Sequence, residues 1–194
     1  MNLILASASP RRKELLEGLN VSFQVLPSHF DENSAEHISI EKRVLHLALG
    51  KAKKVAPQVT DGIVIGADTV VIFNNLILGK PETEQEARQM LESMSGCSHR
   101  VITSLALIEV KEGQEVKEIS AAEETTVFFR SLNDEVIDWY LATGESYDKA
   151  GAYGIQGYGA LLVDRIEGDY FNVVGLPLRL LDLLLENLGY TLRR

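Results

Sequence analysis

Ile63-Val64-Ile65-Gly66-Ala67-Asp68-Thr69-Val70-Val71-Ile72 is the stretch whose reading decides the fold. It is apolar almost throughout, so it reads as a strand buried on both faces, the kind found in α/β proteins whose sheets carry helices on either side. Asn74-Asn75 suggests a hairpin turn into Leu76-Ile77-Leu78. Upstream, a strand at 2–6, a helix at 10–18, a strand near 22–26 and a helix at about 40–56 alternate. Downstream, Thr83-Glu84-Gln85-Glu86 has capping-box spacing and opens a helix to about Met94. Val101–Val110 and Glu115–Phe129 read as antiparallel strands joined by Lys111-Glu112-Gly113-Gln114. A helix around Asn133–Thr143 ends at Gly144, Gly159–Ile166 reads as a strand, and Pro177–Leu188 is a helix stopped by Gly189. The expected fold class is α/β: a mixed β-sheet flanked by helices, one domain over 1–194 built of two lobes, with a central cleft suited to a site.

The chain has 194 residues, 45% hydrophobic and 24% charged, as in soluble globular proteins. No apolar run approaches the roughly 18 residues of a membrane span, and no basic segment precedes an apolar core at the N-terminus, so neither a membrane nor a secretory role is expected. A single cysteine, Cys97, forms no internal disulfide and fits a reducing, cytoplasmic compartment. Net charge is −9. That argues against a general nucleic-acid binder, which needs a broad cationic footprint, but allows a small anionic substrate met by local cations and a metal.

Four places break the local pattern. Asp68 interrupts the apolar strand, and a carboxylate is almost never fully buried without a partner. It either caps a strand end or serves a metal, a cation or a cleft. Lys51 falls inside the apolar arc of Ile40, Val44, Leu47, Ala48 and Val55, either snorkelling or aimed at phosphate. Ser7-Ala8-Ser9-Pro10-Arg11-Arg12 passes from strand to helix, with Ser9 placed as an N-cap and Pro10 at the first helical position. Such a corner is an ordinary turn or an anion site at a helix N-terminus. Asp148 to Gly159 is glycine-dense and carries Gln156, whose amide suits a base edge or simply a loop.

Other motifs are weaker. Lys80 in Gly79-Lys80-Pro81 is not in a P-loop and reads as a surface or phosphate lysine. Asp31-Glu32 is an acidic loop or an oxygen site for Mg²⁺. His29, His37, His46 and His99 lack zinc spacing, and His99 reads as a hydrogen-bonding loop residue.

Taken in order, Ser7–Arg12, Gly66–Val71, Gly79-Lys80-Pro81, Ser95-Gly96 with His99-Arg100-Val101, Asp148–Gly157 and Asn172–Pro177 resemble the Maf family of nucleoside triphosphate pyrophosphatases over nearly the whole chain. The resemblance implies a fold similar to that of the inosine triphosphate pyrophosphatases. It also implies metal-dependent hydrolysis, with Mg²⁺ or Mn²⁺, of a nucleoside triphosphate to monophosphate and pyrophosphate. By resemblance Asp68 is the proton acceptor, and Arg12, Thr69 and Gln156 set substrate choice, in a pattern similar to the dTTP and UTP branch. Ser9, Arg11, Lys51 and Lys80 become phosphate-binding candidates, and Glu32 with Asp68 metal-binding ones. A homodimer is compatible with the resemblance. A nucleotide-binding regulator of septum formation is the alternative, and a metal-dependent nucleotidyltransferase a third reading.

Overall fold

The computed structural model describes residues 2–31 and 39–193. Glu32 and His37, considered above, lie outside the described residues. The elements run β1 (Leu3–Leu5), α1 (Pro10–Gly18), β2 (Phe23–Val25), α2 (Ile40–Val55), β3 (Gly62–Phe73), β4 (Leu76–Leu78), α3 (Glu84–Met94), β5 (Ser98–Lys111), β6 (Gln114–Phe129), α4 (Asp134–Ala142), β7 (Val163–Glu167), α5 (Tyr170–Val174) and α6 (Leu178–Asn187). Seven strands form one mixed sheet in the order β2-β1-β3-β5-β6-β7, with β4 paired to β3. The α/β expectation is met.

The chain divides into two compact units. The first comprises Met1–Thr69, Thr103–Glu123 and Gly175–Arg194. Here β1 lies parallel to both β2 and β3, with Leu3 opposite Phe23 and Ile63. Strand periodicity then sorts the side chains. Leu3, Leu5, Ile63, Ile65, Leu105 and Leu107 pack on one face with Leu16 of α1 and with Leu181, Leu184 and Leu185 of α6. Ile4, Val64, Ala106 and Ile108 pack on the other with Ala48, Ala52 and Val55 of α2. Helices on both faces are why this part of β3 carries no polar alternation.

Gly66 lies on the α2 face. A Cβ there would stand 2.1 Å from the Ala48 carbonyl oxygen and 2.8 Å from the Ala52 nitrogen, so α2 rests directly on the β3 backbone. Gly66→Ala is expected to push the helix off the strand at a cost of about 1–3 kcal/mol. It should lower activity as well, since the same helix carries Lys51. Denaturant melts and turnover measured together check this, and an unshifted melt would contradict the direct packing.

The second unit comprises Val70–Ile102 and Glu124–Val174. Ala87, Leu91 and Met94 of α3 and Ile137, Tyr140 and Leu141 of α4 bury with Val71, Val101, Val127, Phe129 and Tyr153. Asn74 and Asn75 both have positive φ, 50° and 61°, as a tight turn into antiparallel β4 requires. Thr83 Oγ1 accepts the Glu86 amide at 3.1 Å, capping α3.

Two elements differ from expectation. Residues 157–162 form 3-10 turns rather than strand, and β7 starts only at Val163. Glycines at 157 and 159 let the backbone wind tightly there, and the β-branched residues of the segment, Val163 and Ile166, lie beyond them. Helix α5 was not anticipated: five residues are too few to show a period, although the Asp169 carboxylate accepts the Asn172 amide at 2.8 Å and so starts the helix.

Candidate active site

Adjacent residues of β3 point to opposite faces of the sheet, and the site exploits this. Asp68 shares the α2 face with Gly66, while Thr69 shares the α1 face with Ala67. The parallel pairing with β1 ends at Leu5 and Ile65, so both lie in the part of β3 that runs on past the carboxyl end of β1, the kind of strand end at which open α/β sheets place ligands.

On the α2 face, Lys51 Nζ donates to Asp68 Oδ1 at 2.6 Å. Asp68 is only 6% exposed. Lys51 therefore supplies the charge that a buried carboxylate requires. The sequence left Lys51 as a snorkelling or phosphate-facing residue; its ammonium is placed on Asp68.

On the α1 face, buried Arg12 ties four segments together. Its Nε donates to the Gly175 carbonyl at 2.8 Å, and one terminal nitrogen donates to Ser7 Oγ and to the Ala67 carbonyl, both at 3.0 Å. The other donates to Thr69 Oγ1 at 3.0 Å. Thr69 Oγ1 also bonds Thr103 Oγ1 at 2.9 Å. Ser7 and Thr103 were not singled out from the sequence. A serine two residues before the expected cap gave a weak signal, and Thr103 gave none, since a threonine suits any strand.

The expected cap differs. Ser9 occupies the N-cap position of α1 but makes no side-chain cap bond. Its backbone amide instead donates to Ser7 Oγ at 3.3 Å. Pro10 does stand in the first helical turn. Arg11 is half-buried on α1 and takes no place in the Arg12 bonds just described.

Lys80 and Gln156 belong to the second unit. Lys80 is exposed in the loop before α3, and Gln156 is half-buried immediately before the 3-10 turns. His99 is a strand residue of β5, not a loop residue, and is 3% exposed. Its Nε2 shares a 2.7 Å hydrogen bond with the Tyr153 hydroxyl, and both rings stand edge-on to Phe129.

Burial pushes His99 down from 6.5 to about 4 and pushes the Tyr153 phenol up. The native state thus holds a neutral imidazole, and the unfolded chain binds the extra proton between pH 6.5 and 4. This contribution is complete above pH 6.5 and is lost as pH falls toward 4. Between pH 7 and 4.5 it amounts to about 2 kcal/mol, at 1.36 kcal/mol per pKa unit. Urea melts at those two pH values should therefore show a stability loss shallower by that amount in His99→Phe than in the parent. Equal losses would mean the imidazole titrates normally.

Residues 2–188 match the Maf-like protein family. The chain belongs to the Maf family. A Geobacillus sp. (strain WCH70) relative named dTTP/UTP pyrophosphatase is 56% identical over 176 residues, covering 91% of this chain and 92% of that one. A Clostridioides difficile (strain 630) relative of the same name is 52% identical over 185 residues, covering 95% and 94%. Among solved structures, the Staphylococcus aureus Ham1 protein aligns at a TM-score of 0.45 and 9% identity, over 66% of this chain and 72% of that one. Membership of the Maf family, drawn above from the motifs, is thereby established. The Asp68–Lys51 pair and the Arg12–Thr69 network both fall within two of those motifs or on α2 beside them.

Among the described residues no group of three or more His, Cys, Asp or Glu is placed to hold a metal ion. Among the described residues of the site, Asp68 offers a carboxylate. That fits a hard cation such as Mg²⁺ that arrives with phosphates, since such an ion needs only one or two carboxylates from the protein. Among the described residues no helix is long and apolar enough to cross a membrane.

Proposed function

We propose that this protein hydrolyses nucleoside triphosphates, dTTP and UTP foremost, to the monophosphate and pyrophosphate. The observation that carries the reading is Asp68: a carboxylate 6% exposed inside an apolar strand, held by an ammonium at 2.6 Å and next to the Arg12–Thr69 network. A structural carboxylate gains nothing from that position, whereas a base that must be fixed in orientation does. The name shared by relatives of about half identity supplies the substrate class.

In this reading Asp68 accepts a proton from the water that attacks the α-phosphorus, and pyrophosphate leaves in line. Lys51 fixes the carboxylate through Oδ1, so the base does not rotate away. The N-terminal turn of α1, with Ser9 and Arg11, favours an anion through the helix dipole and the Arg11 charge. Arg12 holds Thr69 and the Ser7 turn in place. Lys80 adds positive charge and Gln156 contacts the base. Asp68 would help to hold a divalent cation, Mg²⁺ or Mn²⁺, which would supply charge neutralisation to the phosphate oxygens. The compartment proposed is the cytoplasm, where triphosphates are made and used.

Incubating the purified protein with a panel of nucleoside triphosphates, with and without Mg²⁺ or Mn²⁺, tests the reading. Monophosphate and pyrophosphate in equal amounts, fastest from dTTP and UTP, are expected. Orthophosphate release, or binding without turnover, would overturn it.

A further inference from the structure

Gln156 precedes a turn that another residue holds in place. The Glu145 carboxylate lies against the start of the 3-10 turns: Oε1 accepts the Tyr158 amide at 3.2 Å and Oε2 accepts the Gly159 amide at 3.3 Å. An anion at exposed backbone N–H groups is where such a turn favours it. Gly157 has φ +63°, and a Cβ on it would stand 2.4 Å from Glu145 Oε1. A side chain at 157 would be strained in that backbone conformation and would displace the carboxylate. Glu145 is itself fastened, its carbonyl accepting Lys149 Nζ at 2.6 Å. On the other side of Gln156, the Tyr153 hydroxyl is bonded to buried His99. Gln156 therefore stands between two anchors, and its backbone is set by groups that are not its own.

The chemistry of an amide says why that matters. Gln156 carries one acceptor and two donors. Uracil and thymine offer N3–H beside the O4 acceptor, a pair the amide matches. Cytosine offers the reverse pattern. Guanine, however, offers N1–H beside O6, the same pair as uracil on a larger base. With the amide held in one orientation, hydrogen-bond pattern can thus separate UTP from CTP but not UTP from GTP. Where the amide stands must do the second job.

We infer that Glu145 is a positioning residue for base size: by holding the 157–159 backbone it fixes where the Gln156 amide stands, and so excludes guanine. The inference rests on Gln156 reading the base, as proposed above. It separates two kinds of selectivity that a single glutamine would otherwise confound.

The test compares kcat/KM for UTP, GTP and CTP in the parent, Glu145→Ala, Glu145→Gln and Gln156→Ala, with thermal melts of each. In Glu145→Ala the UTP-to-GTP ratio should fall roughly tenfold, the worth of about one hydrogen bond, while the UTP-to-CTP ratio stays within about twofold. Glu145→Gln keeps one acceptor oxygen and should fall between parent and Ala; it decides the matter if the Ala variant does not fold. A carboxylate that merely supports the fold would lower all three substrates together, and that result, or unchanged ratios in both variants, overturns the inference. Gln156→Ala reports separately on the underlying reading. If it leaves UTP-to-CTP unchanged, Gln156 does not read the base; if it lowers that ratio while the Glu145 variants keep UTP-to-GTP, only the positioning role of Glu145 fails.

Discussion

Asp68→Asn is expected to reduce turnover of dTTP and UTP by roughly 10²–10⁴-fold, the usual worth of a placed general base. Asparagine keeps the size and one oxygen for Lys51 Nζ, but it accepts no proton from water. The structure adds a second consequence. Lys51, with a side chain 12% exposed, has its ammonium 2.6 Å from the Asp68 carboxylate. Removing one charge of a buried pair is destabilising, while removing both is often near neutral. Asp68→Asn should therefore also lower stability by about 1–3 kcal/mol, and adding Lys51→Met should restore part of that without restoring turnover. Single-turnover kinetics and denaturant melts on the two single variants and the double variant separate the effects. Turnover near the parent level in Asp68→Asn would sink the assignment of the base. Full recovery of turnover in the double variant would mean that Asp68 serves only to neutralise Lys51.

Arg12→Lys should be the most destabilising conservative change in the first unit. The guanidinium spans two backbone carbonyls, at Ala67 and Gly175, and two hydroxyls, at Ser7 and Thr69. A lysine ammonium has three donors at one point and no planar fork, so it cannot reach from α1 to all four. Each buried acceptor left unpaired costs about 1–3 kcal/mol, and the costs are not additive. A total near 3 kcal/mol is expected, which at about 2–4 °C per kcal/mol lowers Tm by about 6–12 °C. The same substitution should erode preference among triphosphates, because Thr69 and the Ser7 turn lose their common anchor. A melt shifted by less than about 2 °C would show that Arg12 is not the tie the geometry describes.

The two arginines of the Ser9-Pro10-Arg11-Arg12 turn illustrate how much of the site was legible in sequence. Their type and their place at a helix start pointed to anion chemistry, and the motif order singled out Arg12. Sequence could not say that Arg12 turns inward and donates to the protein, since that depends on where Gly175 falls, 163 residues away. Asp68 was legible because one carboxylate in an apolar run is costly wherever the strand lies. Its partner was legible only as a conflict, a lysine inside an apolar arc, because helical period gives a direction and not a distance. Thr103 and Glu145 gave no warning. A threonine in a strand and a glutamate in a polar loop are ordinary until the fold sets them against Thr69 and against the amides of 158 and 159. His99 was read as a hydrogen-bonder but placed in a loop, because the strand signal of β5 is weak across Ser98-His99-Arg100 and only burial against Phe129 and Tyr153 defines it.

By itself, then, the sequence determined the alternation of strands and helices, the double burial of the Ile63–Ile72 strand, the turns at Asn74-Asn75 and Glu112-Gly113, and the family. These rest on local preferences and on solvation costs that hold in any context. Tertiary structure alone decided which face each residue of β3 meets. Gly66 lets α2 lie on the strand, which puts Lys51 on Asp68, while the next residue, Thr69, turns to α1 and Arg12. Period two dictates that neighbours diverge, but only packing dictates what each of them finds.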